Sequence, residues 1–555
     1  MFTLFKNGAG IFKKRQADIL SAAFVIAFSV AASRILGLIR YRLLAARFGD
    51  DIQLLDSFIA ASVLPDAIFE VFIFGTIALA FIPVFSQYLS REKLERAWEL
   101  SSKMITIGLL VFVIATTLII TLADFIAPII APGLVAKDPT AAFQIARLLR
   151  IMIFAQLFFV ISIFLTGILQ SFQRFLVPAI ASIFYNIGII ISIIFLTPVL
   201  GIYAPALGMI LGALLHLIIQ LPLALSLGFK FNLKFDWRDR DVRETFSLMW
   251  PRSVSLGLMR LSDIINIALA SIATVGSIVA FNFAQVLQFV PISLFAGSLA
   301  QAALPSLSIE FNAKRYEQFK TLFIQSLHQI LFLILPAAAI LAILRIPAVR
   351  LVFGAREFPW EITVLTGRTL IAFSIGIAAQ AVILLLTRSF YAIRDSFTPV
   401  KVTIITTSLN VTMSVVFVLV LKLSIIWLAI AYSTANITAA LLLLFILDRK
   451  VNFDKRQLLL PVVKMLLISA ATAVALYIPM KLLDQLVFDT TRTIGLILLT
   501  TVAGTVGMSV YIFLSWLLGV REVYIFYGLA KRIAKLPAKL TSPAPTSIDA
   551  QQPNP

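Results

Sequence analysis

The chain has 555 residues, of which 60% are hydrophobic and 13% charged, with a mean hydropathy of +1.01; that balance leaves no room for a large soluble domain and marks a polytopic membrane protein. Lysine and arginine number 46 against 27 aspartates and glutamates, and the resulting +19 would point to nucleic acid in a soluble chain but must here be read against topology. No cysteine occurs, which excludes disulfides, thiolate metal sites and thiol chemistry.

Residues 1–18 form a basic, cytoplasmic N-terminus (Lys6, Lys13, Lys14, Arg15), and the apolar run after them lacks a small-residue cleavage pattern, so it reads as a retained first helix. At 1.5 Å per residue a crossing needs about 20 apolar residues, and about 14 segments qualify. They run over 19–46, 54–89, 102–126, 142–169, 175–198, 203–227, 244–272, 276–308, 319–345, 363–388, 397–421, 424–447, 458–480 and 493–518. The second and eighth are long and carry Pro65 and Pro83, Pro291 and Pro305, so kinks are expected there. His216 and His328 lie in apolar stretches and read as structural. Residues 522–538 read as an amphipathic cytoplasmic helix with Lys531, Arg532 and Lys535 on one side, and 541–555 as a disordered tail.

With the N-terminus inside, alternate loops collect Arg91, Lys93, Arg96, Lys230, Lys234, Arg238, Arg240, Arg243, Lys314, Arg315, Arg449, Lys450, Lys455 and Arg456. The positive-inside rule then puts both termini in the cytoplasm, and most of the +19 is topological. Arg34, Arg40, Arg42 and Arg47 on the first span are different, because a guanidinium in hydrocarbon costs about 2.5–3.5 kcal/mol on insertion scales. An anionic cargo moved through a water-filled interior accounts for them; for Arg42 and Arg47 snorkelling to the headgroups competes. Asp56 and Glu70 on the second span read as gating groups or counter-ions, and Asp66, Arg252, Arg368 and Lys464 are further charges at membrane depth.

An internal repeat divides the chain. GTIALAFIP at Gly75–Pro83 matches GSLAQAALP at Gly297–Pro305, an offset of 222, and SFQRF ending at Phe175 matches RDSF ending at Phe397, again 222. SRILGLIR at Ser33–Arg40 matches SVSLGLMR at Ser253–Arg260, an offset of 220. Three matches at nearly one spacing define a repeat of six spans, an even number, so the halves share one orientation about an axis along the membrane normal. The expected architecture is all-α: an N-lobe over 19–227 (spans 1–6) and a C-lobe over 244–447 (spans 7–12) flanking a central cavity, plus two C-terminal helices over 458–518. The repeat puts Arg260 in the position of Arg40, with Asp263 three residues on as a local partner.

SRILGLIR followed by ARFG, then LLDSFIAASVLPD (Leu54–Asp66), FGTIALAFIPVFSQY (Phe74–Tyr88) and ALPSLS (Ala303–Ser308), resembles the MurJ/MviN lipid II flippases of the multidrug/oligosaccharidyl-lipid/polysaccharide exporter superfamily. The resemblance runs over roughly 17–447. It implies two six-helix lobes forming a V-shaped cavity, with the last two helices making a groove for a lipid tail. It places the family's functional arginines on Arg34 and Arg40 and its functional aspartate on Asp56. The chain departs from the family where basic residues follow the turn of the second helix, here Phe69 and Glu70, and where the eighth helix carries an arginine, here Val286. A weak sodium site of the relatives would match Asn266, Asn410, Ser414 and Thr434, without its usual carboxylates.

The expected function is a monomeric, multi-pass flippase of the bacterial cytoplasmic membrane that carries lipid II to the outer leaflet by alternating access. Arg34, Arg40, Arg42 and Arg260 bind the diphosphate; Asp56, Glu70 and Asp263 gate or act as counter-ions. No cofactor or nucleic acid is expected, membrane lipids are, and coupling is to the membrane potential or to sodium. The alternatives are a flippase for another undecaprenyl-diphosphate-linked polysaccharide, a drug antiporter of the same superfamily, and a cell-wall scaffold that does not transport. No Walker loop, metal-ligand spacing or nucleophile motif points to an enzyme.

Overall fold

The computed structural model describes residues 19–354, 357–490, 492–526 and 528, and every regular element among them is a helix. The basic N-terminus, residues 527 and 529–538 of the expected amphipathic helix (522–538) and the tail lie outside the described residues; within that helix, residues 522–526 are helical. Among the described residues, twelve helices are both long and apolar enough to cross a membrane. The first and seventh expected spans are α1 (Ile19–Phe48, 30 residues) and α11 (Arg240–Ile272, 33 residues), both long enough to cross. Against the fourteen expected, twelve helices meet both length and composition among the described residues, and α1 and α11 are long enough to cross.

The first half continues with α2 (Ile52–Ile68), α3 (Gly75–Ser90), α4 (Leu94–Ile130), a short α5 (Pro132–Lys137), α6 (Thr140–Met152), α7 (Ala155–Ser171), α8 (Leu176–Leu200), α9 (Tyr203–Ile218) and α10 (Leu221–Ser226). The second half, after α11, holds α12 (Ser277–Pro291), α13 (Ser298–Asn312), α14 (Tyr316–Ile343), a short α15 (Arg345–Phe353), α16 (Trp360–Ala392), α17 (Phe397–Val415) and α18 (Ile426–Val451). Then come α19 (Lys455–Leu486) and α20 (Thr493–Leu517), packed on each other and, through α19, on α14. The span expected as one helix over 142–169 is two, α6 and α7, joined by a turn at 153–154.

Two structural features repeat between the halves. A π-helical stretch, Phe69–Phe74, precedes the GTIALAFIP string, and its counterpart Ile292–Gly297 leads into GSLAQAALP. Proline lacks an N–H and crowds the carbonyl a turn before it, so Pro65 and Pro291 loosen the ladder just ahead of both stretches. Pro83 and Pro305, by contrast, sit inside uninterrupted α-helix. The short helices repeat as well: α5 packs against α11, whereas α15 packs against α1, its repeat partner. That exchange is what a two-fold axis between the halves produces.

Within each half the helices pack on broad apolar faces, with α8 along α9 and α1, and α16 along α12, α14 and α18. The opposite faces leave large apolar side chains bare, Phe125, Phe195, Val199 and Ile494 among them at 70–82% exposure. A water-facing surface of that kind aggregates; a hydrocarbon belt accepts it.

Candidate functional site

The charges of the first span meet those of the second and seventh where the two halves face each other. Asp66 and Glu70 lie one turn apart, straddling the point where α2 gives way to the π-helical stretch, so both carboxylates leave the same side of the helix. From α11, Arg260 reaches across: one terminal nitrogen pairs with the Glu70 carboxylate and the other donates to Asp263 Oδ2 at 2.8 Å. Gln285 of α12 completes the environment, its amide donating to Asp263 Oδ1 at 3.4 Å. Arg34 lies within Coulomb range of Glu70 and sits over the Phe289 ring, 5.0 Å from its centre. Asp66 lies within range of both Arg40 and Arg260.

These groups are not sealed in. The side chains of Arg260, Glu70 and Asp263 are 34%, 42% and 22% exposed, and Arg34 and Asp66 are also solvent-accessible. The Arg260–Glu70 pair joins the two halves at side chains that stay partly exposed, a polar place between them. Arginine suits a phosphate-bearing ligand there, since its planar fork donates two parallel hydrogen bonds and keeps its charge at any physiological pH.

At one end of this space the halves are shut. Asp56 is 1% exposed; its Oδ2 accepts from Gly276 N at 2.6 Å and its Oδ1 from Val279 N at 2.9 Å, so a carboxylate of the first half caps the amino end of α12 in the second. Gly276 makes this reach available: its φ is +86°, and a Cβ there would meet the Ile362 side chain at 2.2 Å. Around it, Gly133 N donates to Ser271 Oγ at 2.9 Å, Lys137 Nζ to Ala273 O, and Tyr41 packs edge-on against Phe283 at 5.6 Å.

The opposite end carries a polar clamp instead. Tyr88 donates to Asp241 Oδ2 at 2.5 Å, Arg96 reaches Asp239 at 2.8 Å and Asp241 at 3.2 Å, and Lys103 reaches Asp239 at 2.6 Å and Asp236 at 3.2 Å. Burial pushes the Asp239 carboxyl up, but Lys103, the Asp241 N–H and Arg96 outweigh it and hold it below the ordinary carboxylate range. The clamp ties the start of α11 to the ends of α3 and α4.

Several expected site residues stand elsewhere. Asp56 is a cap between the halves and does not pair with the arginines of α1. Arg42 donates to Leu351 O at 2.6 Å, near the carboxyl end of α15, away from the Arg34–Arg260 group. Asn266, Asn410 and Ser414 come together, but as a buried hydrogen-bonded knot: Ser414 Oγ donates to Asn266 Oδ1 at 2.9 Å, while Asn266 Nδ2 and Ser262 Oγ donate to Asn410 Oδ1 at 3.1 and 2.8 Å. Its amide oxygens are used by donors and the buried atom left over is an N–H group, Asn410 Nδ2, the wrong polarity for a cation. Thr434 is not part of this knot; its carbonyl accepts from Thr438 Oγ1 at 2.9 Å within α18. The set does not fit sodium, and among the described residues no acidic or imidazole cluster fits a metal. His216 is held by Ser162 at 2.6 Å and His328 by Leu458 O at 3.1 Å, both structural.

Sequence reasoning left Ser262, Phe289 and Gln285 out of the site. Ser262 had a signal, since it stands one turn before Asn266; for Phe289 and Gln285 there was none, because nothing in α12 marks which residues face α1 and α11.

The model of one protein family, described as Lipid II flippase MurJ, matches residues 44–515. The chain is 28% identical over 465 residues to the probable lipid II flippase MurJ of Haemophilus influenzae, covering 80% of this chain and 90% of that one. It is 25% identical over 512 residues to the corresponding protein of Buchnera aphidicola from Acyrthosiphon pisum, covering 92% and 99%. Among solved structures, a lipid II flippase MurJ in an inward closed conformation superposes with a TM-score of 0.73 at 23% identity, covering 88% of this chain and 98% of that one, a likeness of fold.

Proposed function

This chain belongs to the lipid II flippase MurJ family, and we infer that it moves lipid II from the inner to the outer leaflet as a multi-pass transporter of the inner membrane. The observation that carries this reading is the meeting of Arg34, Arg40 and Arg260 with carboxylates in one wet space between two similar halves. In this reading the clamp at Asp239 and Asp241 faces the cytoplasm and the Asp56 cap faces outward, as loop charge requires. Cargo then enters from the inside when the Asp239–Asp241 clamp lets go, while the outer end is shut. Its diphosphate is received by the three arginines, its sugar–peptide head occupies the hydrated space, and its tail stays in lipid along α19 and α20. Rocking of the halves breaks the Asp56 cap and opens the outer end.

A membrane potential of about 100 mV acts with about 2.3 kcal/mol on each charge moved across it, enough to return an empty cationic site inward. Depolarised vesicles are expected to flip cargo slowly; equal rates with and without a potential remove this coupling.

The deciding experiment is rescue of a bacterium depleted of its own lipid II flippase by this chain and by Arg34→Ala, following export of the precursor to the outer leaflet. The parent restores export and the variant does not. Failure of an expressed, inserted parent shifts the cargo to a different polyprenyl-linked glycan, and rescue by both removes Arg34 from the site.

A further inference from the structure

Around Asp263 the second half presents a wall of a different character from the arginines of α1. Three of its helices converge there. Helix α11 brings Asp263 itself; α12 brings Gln285, whose amide nitrogen donates to Asp263 Oδ1 at 3.4 Å; and α18 brings Tyr432, whose hydroxyl is within reach of the Gln285 and Asn436 amides and within Coulomb range of Asp263. Tyr432 and Asn436 stand one turn apart on α18, where Asn436 Nδ2 donates to Tyr432 O at 2.8 Å. Asp263, Gln285, Tyr432 and Asn436 are all half-buried, so none of the four is sealed inside the second half.

This wall holds more acceptors than donors. Gln285 spends an N–H on Asp263 and Asn436 spends one on Tyr432 O, while the carbonyl oxygens of both amides accept from no group among the described residues. One turn before Gln285, on the same face of α12, Asn282 Oδ1 is enclosed and likewise without a donor among them. Gln288, three residues beyond Gln285, shows the contrast: it is 1% exposed, and its carbonyl oxygen is satisfied by Gln380 at 3.1 Å. Amides that serve only the core pair with each other, so acceptors left over at half-buried positions take their donors from water or from a ligand that displaces it. A cation is not that ligand, because Arg260 at 2.8 Å already supplies Asp263 with positive charge.

What stands beside the wall decides which ligand it takes. Arg260 meets Glu70 through one terminal nitrogen and Asp263 through the other, and a guanidinium has five N–H groups, so it keeps donors for a phosphate while holding both carboxylates. Whatever is bonded to a phosphate held there lies against Asp263, Gln285 and Tyr432. In a lipid-linked glycan that group is the first sugar ring, whose hydroxyls are the donors that a carboxylate and two amide oxygens call for. We propose that Asp263, Gln285, Tyr432 and Asn436 form a saccharide subsite, which receives the sugar joined directly to the diphosphate. The arginines hold the phosphates by charge, and this wall reads the sugar by hydrogen bonds. The subsite rests on the reading that the cargo is a diphosphate.

Titration calorimetry of the full-length protein separates the two parts of the ligand. Two short-chain prenyl diphosphate diesters are compared, one capped by an N-acetylhexosamine and the other by a methyl group, so that both carry the same charge. The parent is expected to bind the sugar-capped diester about 10-fold or more tightly than the methyl-capped one, as two or more added hydrogen bonds imply. Gln285→Leu and Asn436→Leu keep the size of the side chain and remove the amide; each should weaken the sugar-capped diester about 3- to 10-fold and leave the methyl-capped one unchanged. Tyr432→Phe, which loses only a hydroxyl, replaces either variant that does not fold and carries the same expectation. Equal affinity of the parent for the two diesters, or variants that weaken both alike or neither, overturns the subsite and leaves the diphosphate reading intact. No binding of either diester by a folded parent overturns the diphosphate reading and the subsite with it.

Discussion

Asp56 and Gly276, 220 residues apart in sequence, are joined by a 2.6 Å hydrogen bond from the glycine N–H to the carboxylate, and this bond fastens one half of the protein to the other. With the second bond from Val279 N it places a negative charge on the amino end of α12, where four backbone N–H groups lack helical partners. Hydrogen bonds to a charged group contribute about 1.5–3 kcal/mol each, so two of them make a latch strong enough to favour closure at this end and weak enough to open in a transport cycle.

Replacing Asp56 with alanine should therefore loosen that end specifically. Because the chain has no cysteine, a single cysteine placed at Ser277, itself buried beside the cap, reports opening cleanly. Labelling by a small polar maleimide is expected to quicken about 100-fold or more in Asp56→Ala, in line with the loss of roughly 3–6 kcal/mol from the two bonds. Equal labelling in both backgrounds means that Asp56 does not hold the end shut.

How much of this was legible in the chain depends on what kind of signal each feature leaves. Crossing helices announce themselves by length and hydropathy, and the repeat by three matches at offsets of 220 and 222, so the all-helical, two-half plan could be read directly. Arg260 was found through its repeat position, but its partner Glu70 lies 190 residues away, and the pairing needs the fold. Asp56 was singled out as a gating or counter-ion group; its true partners are backbone amides, which every residue but proline has and which no sequence pattern marks. Arg42 misled for a related reason: a carbonyl at a helix end, here Leu351 O, satisfies a guanidinium as well as a ligand does. The short helices α5 and α15 escaped because six to nine residues carry too little periodicity to stand out.

The clamp at the other end should be most sensitive to acid. Asp239 is nearly buried and its folded carboxyl is held below its unfolded value near 3.9, so it contributes stability fully above that value and loses it as pH falls through the lower folded one. Thermal stability of the parent should thus decline from about pH 4 downward, and Asp239→Asn should show less of that decline while being less stable at pH 7. A variant with the parent's stability at pH 7 places the clamp outside the folding energetics. Asp395, whose carboxyl burial raises but Lys450 and Thr398 bring down to about 2, titrates in the same acid range, so Asp239 must be judged from the difference between the two proteins.

The crossing of α8 and α9 gives the last prediction, because there the backbones touch with almost nothing between them. A Cβ on Gly188 would lie 2.5 Å from the Cα of Gly212, and one on Gly212 would lie 2.4 Å from the carbonyl oxygen of Tyr185. Both obstructions are backbone, which cannot swing aside as a side chain can. Gly208 stands one turn before Gly212 and its Cβ would approach the Ile189 Cα at 2.9 Å, so the two glycines form the small-residue seam that membrane helices use to approach closely. In hydrocarbon no hydrophobic force rewards the two helices for staying together once that contact is lost; what holds them is the fit itself. Gly188→Val should force the pair apart and cost about 3 kcal/mol or more, as overpacking of a tight core does. Gly504→Val is the control, since a Cβ at Gly504 meets nothing within 4 Å. A large drop in melting temperature and yield is expected for Gly188→Val and almost none for Gly504→Val; equal behaviour of the two would mean that this seam does not limit the packing of the first half.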